Sequence, residues 1–132
     1  MNMKGRTIYP GKVKGEAIVS REAFSFYGGV DTKSGIIIDK NSSLYGKCIK
    51  DKIFVFPCGR GSTVGSYVIY ALKRNGVAPK AIINKETETI VATGAIIAGL
   101  VCVDGIDIDA IEDGDIVIVD AKEEEADVIV EK

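Results

Sequence analysis

The chain predicts a mixed α/β domain, and three neighbouring features carry that prediction. Ile53-Phe54-Val55-Phe56 is a continuous apolar run closed by Pro57, the pattern of a strand buried on both faces. Val64, Tyr67, Val68, Ala71 and Leu72 then recur at the spacing of one helical face. Ala81-Ile82-Ile83 is a second buried run. Strand, helix and strand within about 30 residues make a central βαβ unit over residues 53–84, with its two strands parallel.

The remaining elements are shorter. Residues 7–9 and 14–19 read as strands, with Pro10-Gly11 as the turn between them. Residues 25–31 centre on two glycines and read as a loop or bulge. Residues 36–39 form a brief apolar strand, and 41–52 alternate small, polar and charged residues like a surface connection. In the βαβ unit, Ser62 or Thr63 is expected to cap the helix start. Lys73 and Arg74 fall in its last turn, Asn75-Gly76 suits a left-handed C-terminal position, and Pro79 blocks continuation. Downstream, 93–98 is a short helix or turn and 100–103 a strand. Asp113-Gly114-Asp115 turns the chain into a strand at 116–120. An acidic connection over 122–127 precedes a last strand at 128–130. No repeat or linker interrupts the pattern, so residues 1–132 are expected to form one domain.

Composition narrows the function. Hydrophobic residues are 46% of the chain, enough for an ordinary core. With 17 basic and 19 acidic side chains the formal charge is −2, which gives no footprint for nucleic acid or an anionic membrane. No apolar run reaches the roughly 18 residues of a membrane span, and the N-terminus lacks a signal pattern. A cytoplasmic location is expected. Cys48, Cys58 and Cys102 are irregularly spaced and odd in number, so free and largely buried thiols are expected, with no metal site in this chain. There is no histidine, which removes Ser-His-Asp and Cys-His nucleophile systems and histidine metal sites. Chemistry is left to hydroxyl, carboxylate, Lys, Arg, Tyr or backbone groups.

The sharpest candidate is Gly59-Arg60-Gly61-Ser62-Thr63, between the first buried strand and the helix. Its glycines let the backbone turn tightly and approach a ligand. The helix behind it offers free N–H groups and a positive dipole end. Arg60 adds a planar cation suited to carboxylate or phosphate, and Ser62 a hydroxyl. A small anionic substrate near Ser62 is one reading; an ordinary capped turn with a solvated Arg60 is the other. Neither GxxxxGK[ST] nor GxGxxG is present, so no common nucleotide loop is read here. A second candidate, Ser25, Tyr27, Gly28, Gly29 and Asp31, either lines a pocket or interface or is a bulge with Tyr27 packed on the core. Glu86/Glu88 and Asp113/Asp115 read as solvated turns, and 123–125 as a solvated surface run.

Longer blocks carry a family resemblance. Ser25-Phe26-Tyr27-Gly28-Gly29-Val30-Asp31, then Phe56-Pro57-Cys58-Gly59-Arg60-Gly61-Ser62-Thr63-Val64-Gly65-Ser66-Tyr67, then Ala78-Pro79-Lys80-Ala81-Ile82-Ile83 resemble the small subunit of aconitase X enzymes. Glu88-Thr89-Ile90-Val91-Ala92-Thr93-Gly94-Ala95-Ile96-Ile97-Ala98-Gly99 and Gly114-Asp115-Ile116-Val117 extend the match over nearly the whole chain. Within the family it looks most like the archaeal phosphomevalonate dehydratases.

The resemblance implies an aconitase-like swivelling β/β/α domain. It implies a separate large subunit carrying an iron–sulfur cluster, of the 4Fe–4S type, and much of the pocket. The implied substrate is a small phosphorylated hydroxy acid, mevalonate 5-phosphate, dehydrated to trans-anhydromevalonate 5-phosphate in a modified mevalonate pathway. In the family the loop serine is the proton acceptor, which maps onto Ser62. Gly59, Arg60, Gly61 and Thr63 are expected around the substrate, with Arg60 stabilising Ser62 or holding an acidic group. The chain should be inactive alone. Two alternatives stay open: dehydration of cis-3-hydroxyproline, and a non-catalytic swivel or scaffold.

Overall fold

In the computed structural model, which describes residues 1–132, strands β1 (Asn2–Tyr9) and β2 (Gly11–Val19) are separated by Pro10 alone. Strand β3 (Ile53–Phe56), helix α1 (Gly65–Arg74) and strand β4 (Ala81–Asn84) form the expected βαβ unit. Helix α2 (Thr89–Ala98) and strands β5 (Val101–Asp104), β6 (Ile116–Ala121) and β7 (Glu125–Glu131) follow. The seven strands close into a barrel in the order β1-β5-β4-β3-β2-β6-β7. Strands β2, β3, β4 and β5 run parallel to one another, whereas every pairing that involves β6, β7 or β1 is antiparallel.

Alternation along each strand produces two cores. Ile53 and Val55 of β3 point into the barrel, where they meet Ala81, Ile83, Val101, Val103, Val117, Val119, Val128 and Val130. Phe54 and Phe56 point outward into a second core with Ile82, Cys102 and the inner faces of the two helices. Helices therefore cover the parallel wall, and the antiparallel wall lies across the barrel interior, giving β/β/α layers. Continuous apolar runs at β3 and β4 mark this arrangement, because both of their faces are covered.

The outer core also seats the loops. Phe24, Phe26, Phe54 and Phe56 pack with ring centroids 4.6 to 6.0 Å apart, several edge to face. Each such pair is worth about 0.5–1.5 kcal/mol beyond the area it buries. Phe24 and Phe26 flank Ser25, and Phe56 ends the strand that feeds the glycine-rich loop. One aromatic cluster thus lies beneath both candidate segments.

Several local expectations need correction. Residues 36–39 form no strand; Ile36 and Ile37 make isolated bridges to Cys48 and Val30. The 41–52 segment is not wholly superficial, since Leu44 and Ile49 are buried in the outer core. Helix α1 buries Gly65, Ser66, Ile69 and Leu72, and leaves Val64 and Tyr67 exposed. Neither Ser62 nor Thr63 caps it: Val64 holds the cap position in helical backbone, with no side-chain cap. Helix α2 starts at Thr89, four residues before the expected 93, because Glu88 caps it. Glu88 is therefore no solvated turn residue. Of the three free thiols only Cys102 is buried; Cys58 is half-buried and Cys48 exposed.

Candidate functional site

The glycine-rich loop leaves β3 at Phe56 and is bridged at once to the segment before Ser25. Phe24 N–H donates to the Cys58 carbonyl at 3.0 Å, and Arg60 N–H to the Phe24 carbonyl at 3.1 Å. Gly61 has φ +92, a left-handed backbone that glycine adopts without strain. A Cβ there would run into Ser25 Oγ. At the far end, a Cβ on Gly65 would lie 3.6 Å from Phe26 Cβ and Tyr27 N. Residues 25–27 are thus wedged along the loop from Gly61 to Gly65. The first part of the second candidate segment, residues 25–27, therefore lies against the first candidate loop.

Ser62 is half-buried at the loop's apex. Its hydroxyl oxygen accepts from Val64 N–H at 3.1 Å, and its carbonyl accepts from Gly65 N–H at 2.9 Å. The N–H groups of Gly61, Ser62 and Thr63 find no acceptor in the chain. Helix α1 behind them carries no acidic residue in its first turn, so its positive end is left open at Ser62. The contrast with α2 is sharp: there Glu88 accepts from both Ile90 N–H and Val91 N–H and fills the helix end. The open end of α1 and the Val64 N–H on its hydroxyl favour negative charge near Ser62.

The other candidates take distinct places. Arg60 is turned toward the 23–39 region, 3.4 Å from the Ala23 carbonyl and 3.9 Å from Asp39 Oδ2, with 57% of its side chain exposed. These two contacts are long and the side chain is mostly exposed, so they hold the guanidinium only weakly. Thr63 lines a groove of about 420 Å³ between the two helices, with Ser66, Tyr67, Thr89, Ile90, Thr93 and Ile97. Ser25 donates to the Tyr27 carbonyl at 3.0 Å. Tyr27 is 57% exposed and does not pack on the core; Phe26 does so instead. Gly28 has φ +79, and Gly29 is buried with its Cα against the Ser25 carbonyl. Asp31 stands apart. Its carboxylate accepts from Ser34 Oγ at 2.7 Å and Lys33 N–H at 3.2 Å, bonds that hold its carboxyl below the usual range. It closes its own turn.

Residue-type reasoning missed Glu88 and Asp39. Glutamate is not among the favoured capping residues, and Asp39 was hidden in a segment read as a strand. No three carboxylate or thiol side chains converge as metal ligands in this chain. Its cysteines do not fit an iron–sulfur cluster either, being dispersed between surface and core, and burial pushes the Cys102 thiol up to about 12.

The family model for the aconitase X swivel domain matches residues 2–128. The chain belongs to that family. A Thermococcus sibiricus protein named phosphomevalonate dehydratase small subunit is 59% identical over 97% of this chain and 98% of its own length. One of the same name from Methanocaldococcus jannaschii is 60% identical over 91% of this chain and 92% of its own. The crystal structure of Thermococcus kodakaraensis aconitase X in holo-form superposes with a TM-score of 0.93 at 55% identity, covering 98% of each chain. The crystal structure of 3-isopropylmalate dehydratase (leuD) from M. jannaschii shares the fold at 23% identity and TM-score 0.63, over 92% of this chain and 84% of that one. The swivel architecture of the aconitase X family is therefore the architecture described above.

Proposed function

We propose that this chain is the small subunit of a phosphomevalonate dehydratase and that Ser62 is its proton acceptor. The supporting observation is an accessible hydroxyl at an uncapped helix end, in a chain 59% identical to a curated small subunit of that name. In the proposed reaction a proton leaves the carbon next to the hydroxyl-bearing carbon of mevalonate 5-phosphate and passes to Ser62 Oγ. The C–H electron pair becomes the new C=C bond and the hydroxyl departs, giving trans-anhydromevalonate 5-phosphate. Serine is ordinarily too weak an acid to serve as its conjugate base. Val64 N–H, which donates to Ser62 Oγ, and the α1 dipole lower that cost by stabilising the alkoxide. Arg60 swings from Asp39 to hold an anionic group of the substrate.

The site is half of a pocket. A large subunit completes it, and we assign the iron–sulfur cluster, of the 4Fe–4S type, to that subunit, where it supplies Lewis acidity. Val64, Tyr67 and Ile97 are exposed beside the loop. These apolar side chains suit contact with the large subunit more than with water. No helix is long and apolar enough to cross a membrane, and we place the complex in the cytoplasm.

The test is anaerobic co-expression with the large subunit and an assay of mevalonate 5-phosphate dehydration. Ser62→Ala is expected to lower kcat about 10²-fold or more, the scale for loss of a positioned acid–base group. Unchanged turnover in that variant leaves only a scaffolding role. Turnover of cis-3-hydroxyproline instead of the phosphorylated acid replaces the substrate. The chain alone is expected to be inactive.

A further inference from the structure

We propose that Glu88 is a positioning residue for the Ser62 loop, acting through Gly59; the proposal rests on the reading of Ser62 as proton acceptor. Glu88 stands at the junction of β4 and α2, half-buried, with Oε1 accepting from Val91 N–H at 2.8 Å and Oε2 from Ile90 N–H at 2.9 Å. Two backbone donors of one helical turn therefore fix its carboxylate. Gly59 lies directly on that carboxylate. A Cβ at Gly59 would run into Glu88 Oε1 and stand 2.6 Å from Val91 Cγ2. Gly59 is buried, lacks a side chain of its own, and precedes Ser62 by three residues. The level at which the loop sits is set by what Gly59 rests on.

The platform itself is rigid. Thr87 N–H donates to Asp104 Oδ2 at 2.9 Å, and Arg6 grips the buried Asp104 through Nε at 3.0 Å and a second nitrogen at 2.8 Å. Thr87 Oγ1 donates to Asn84 Oδ1, and Asn84 Nδ2 to the Phe56 carbonyl at 3.0 Å. Lys85 and Glu86 N–H both donate to the Pro57 carbonyl. On the helix side, Ser66 Oγ donates to the Ile90 carbonyl at 2.7 Å, tying α1 to the first turn of α2. The junction that holds Glu88 is thus bonded to the start and the end of the catalytic loop.

The choice of residue supports the assignment. Serine or aspartate caps a helix as well as or better than glutamate, with fewer rotatable bonds to immobilise. The longer Glu88 side chain caps with both oxygens and at the same time fills the space beneath Gly59.

Two variants separate positioning from capping. Glu88→Ser keeps a good cap and withdraws the support; Glu88→Gln keeps the length and sacrifices one capping acceptor. In the complex with the large subunit, kcat for mevalonate 5-phosphate is expected to fall at least about tenfold in Glu88→Ser and to stay within about twofold in Glu88→Gln, since small misplacements of a reacting group are costly. A purely capping role gives the opposite order, Gln worse than Ser, and overturns the proposal.

A second readout does not depend on the substrate. Amide exchange of Arg60 and Phe24, whose N–H groups are bonded across the loop, is measured in the small subunit. It is expected to accelerate in Glu88→Ser and to match wild type in Glu88→Gln; equal exchange in both variants overturns the proposal. If the wild-type complex leaves mevalonate 5-phosphate untouched, the substrate reading falls, and the exchange result alone decides for or against Glu88.

Discussion

Cys48, Cys58 and Cys102 show how far one residue type can differ in a single chain. Cys102 is buried in the outer core, where desolvation raises its thiol to about 12 despite the nearby Thr87 hydroxyl, and the Asp104 charge adds to the rise. It stays protonated and shielded at neutral pH. Iodoacetamide at pH 8 is expected to label exposed Cys48 first, Cys58 more slowly and Cys102 only after unfolding, as read by peptide mass spectrometry. Native-state labelling of Cys102 would contradict the packing. Residue types placed a glycine-bearing turn between β3 and α1, which the structure has, but not the uncapped start of that helix. They could not foretell that Arg60 faces Asp39 or that Asp31 closes its own turn, since both depend on loop paths set by tertiary contacts.

At the scale of elements, helix α1 is the instructive case. Its spacing favours a face of Val64, Tyr67, Val68, Ala71 and Leu72; Leu72 is buried and Val68 packs on the core, but Ile69 is buried while Val64 and Tyr67 stay exposed. The reason lies in the small residues. Gly65 and Ser66 let α1 approach the Phe26–Tyr27 segment and the Ile90 carbonyl closely, and Gly94 of α2 receives Ile69. A Cβ at Gly94 would stand 2.6 Å from Ile69 Cδ1 and 3.0 Å from its Cβ. Gly94→Ala is therefore expected to destabilise the subunit by about 1–3 kcal/mol, through overpacking, in urea unfolding. Substitution of exposed Tyr67 by Ser should leave that unfolding midpoint nearly unchanged while weakening co-purification with the large subunit. The βαβ unit was legible because β3 and β4 are covered on both faces. The early start of α2 was not, because an apolar helix covered unevenly gives no clear periodicity and its cap is an unfavoured residue type.

Across the whole molecule, pairs far apart in sequence close the barrel: β1 lies between β5 and β7, and β2 between β3 and β6. Short runs of residues carry no record of such pairings, which is why the ring itself was not foreseen. Ion pairs reinforce the seams. Asp127 meets Lys4 across β7 and β1 at 2.6 Å, and Asp115 meets Lys132 at 2.8 Å. Bonds from those lysines hold both carboxyls below their ordinary value of 3.8, as Ser34 does for Asp31. A carboxyl with a lowered folded-state value stabilises the fold above the unfolded-state value and loses that contribution as pH falls through the folded one. The melting temperature is expected to be level between about pH 7 and 5 and to drop below about pH 4, less steeply in Asp127→Asn. A steeper drop in that variant would contradict the assignment.

Closure has a further consequence. An open sheet exposes full-length edges of unpaired backbone groups that a foreign chain can extend; a ring keeps only the short stretches where a long strand outruns its neighbour. A protein that recruits this subunit is therefore expected to grip it on the helical flank or the loop rim, so its recognition can evolve without disturbing the hydrogen-bonded wall behind it.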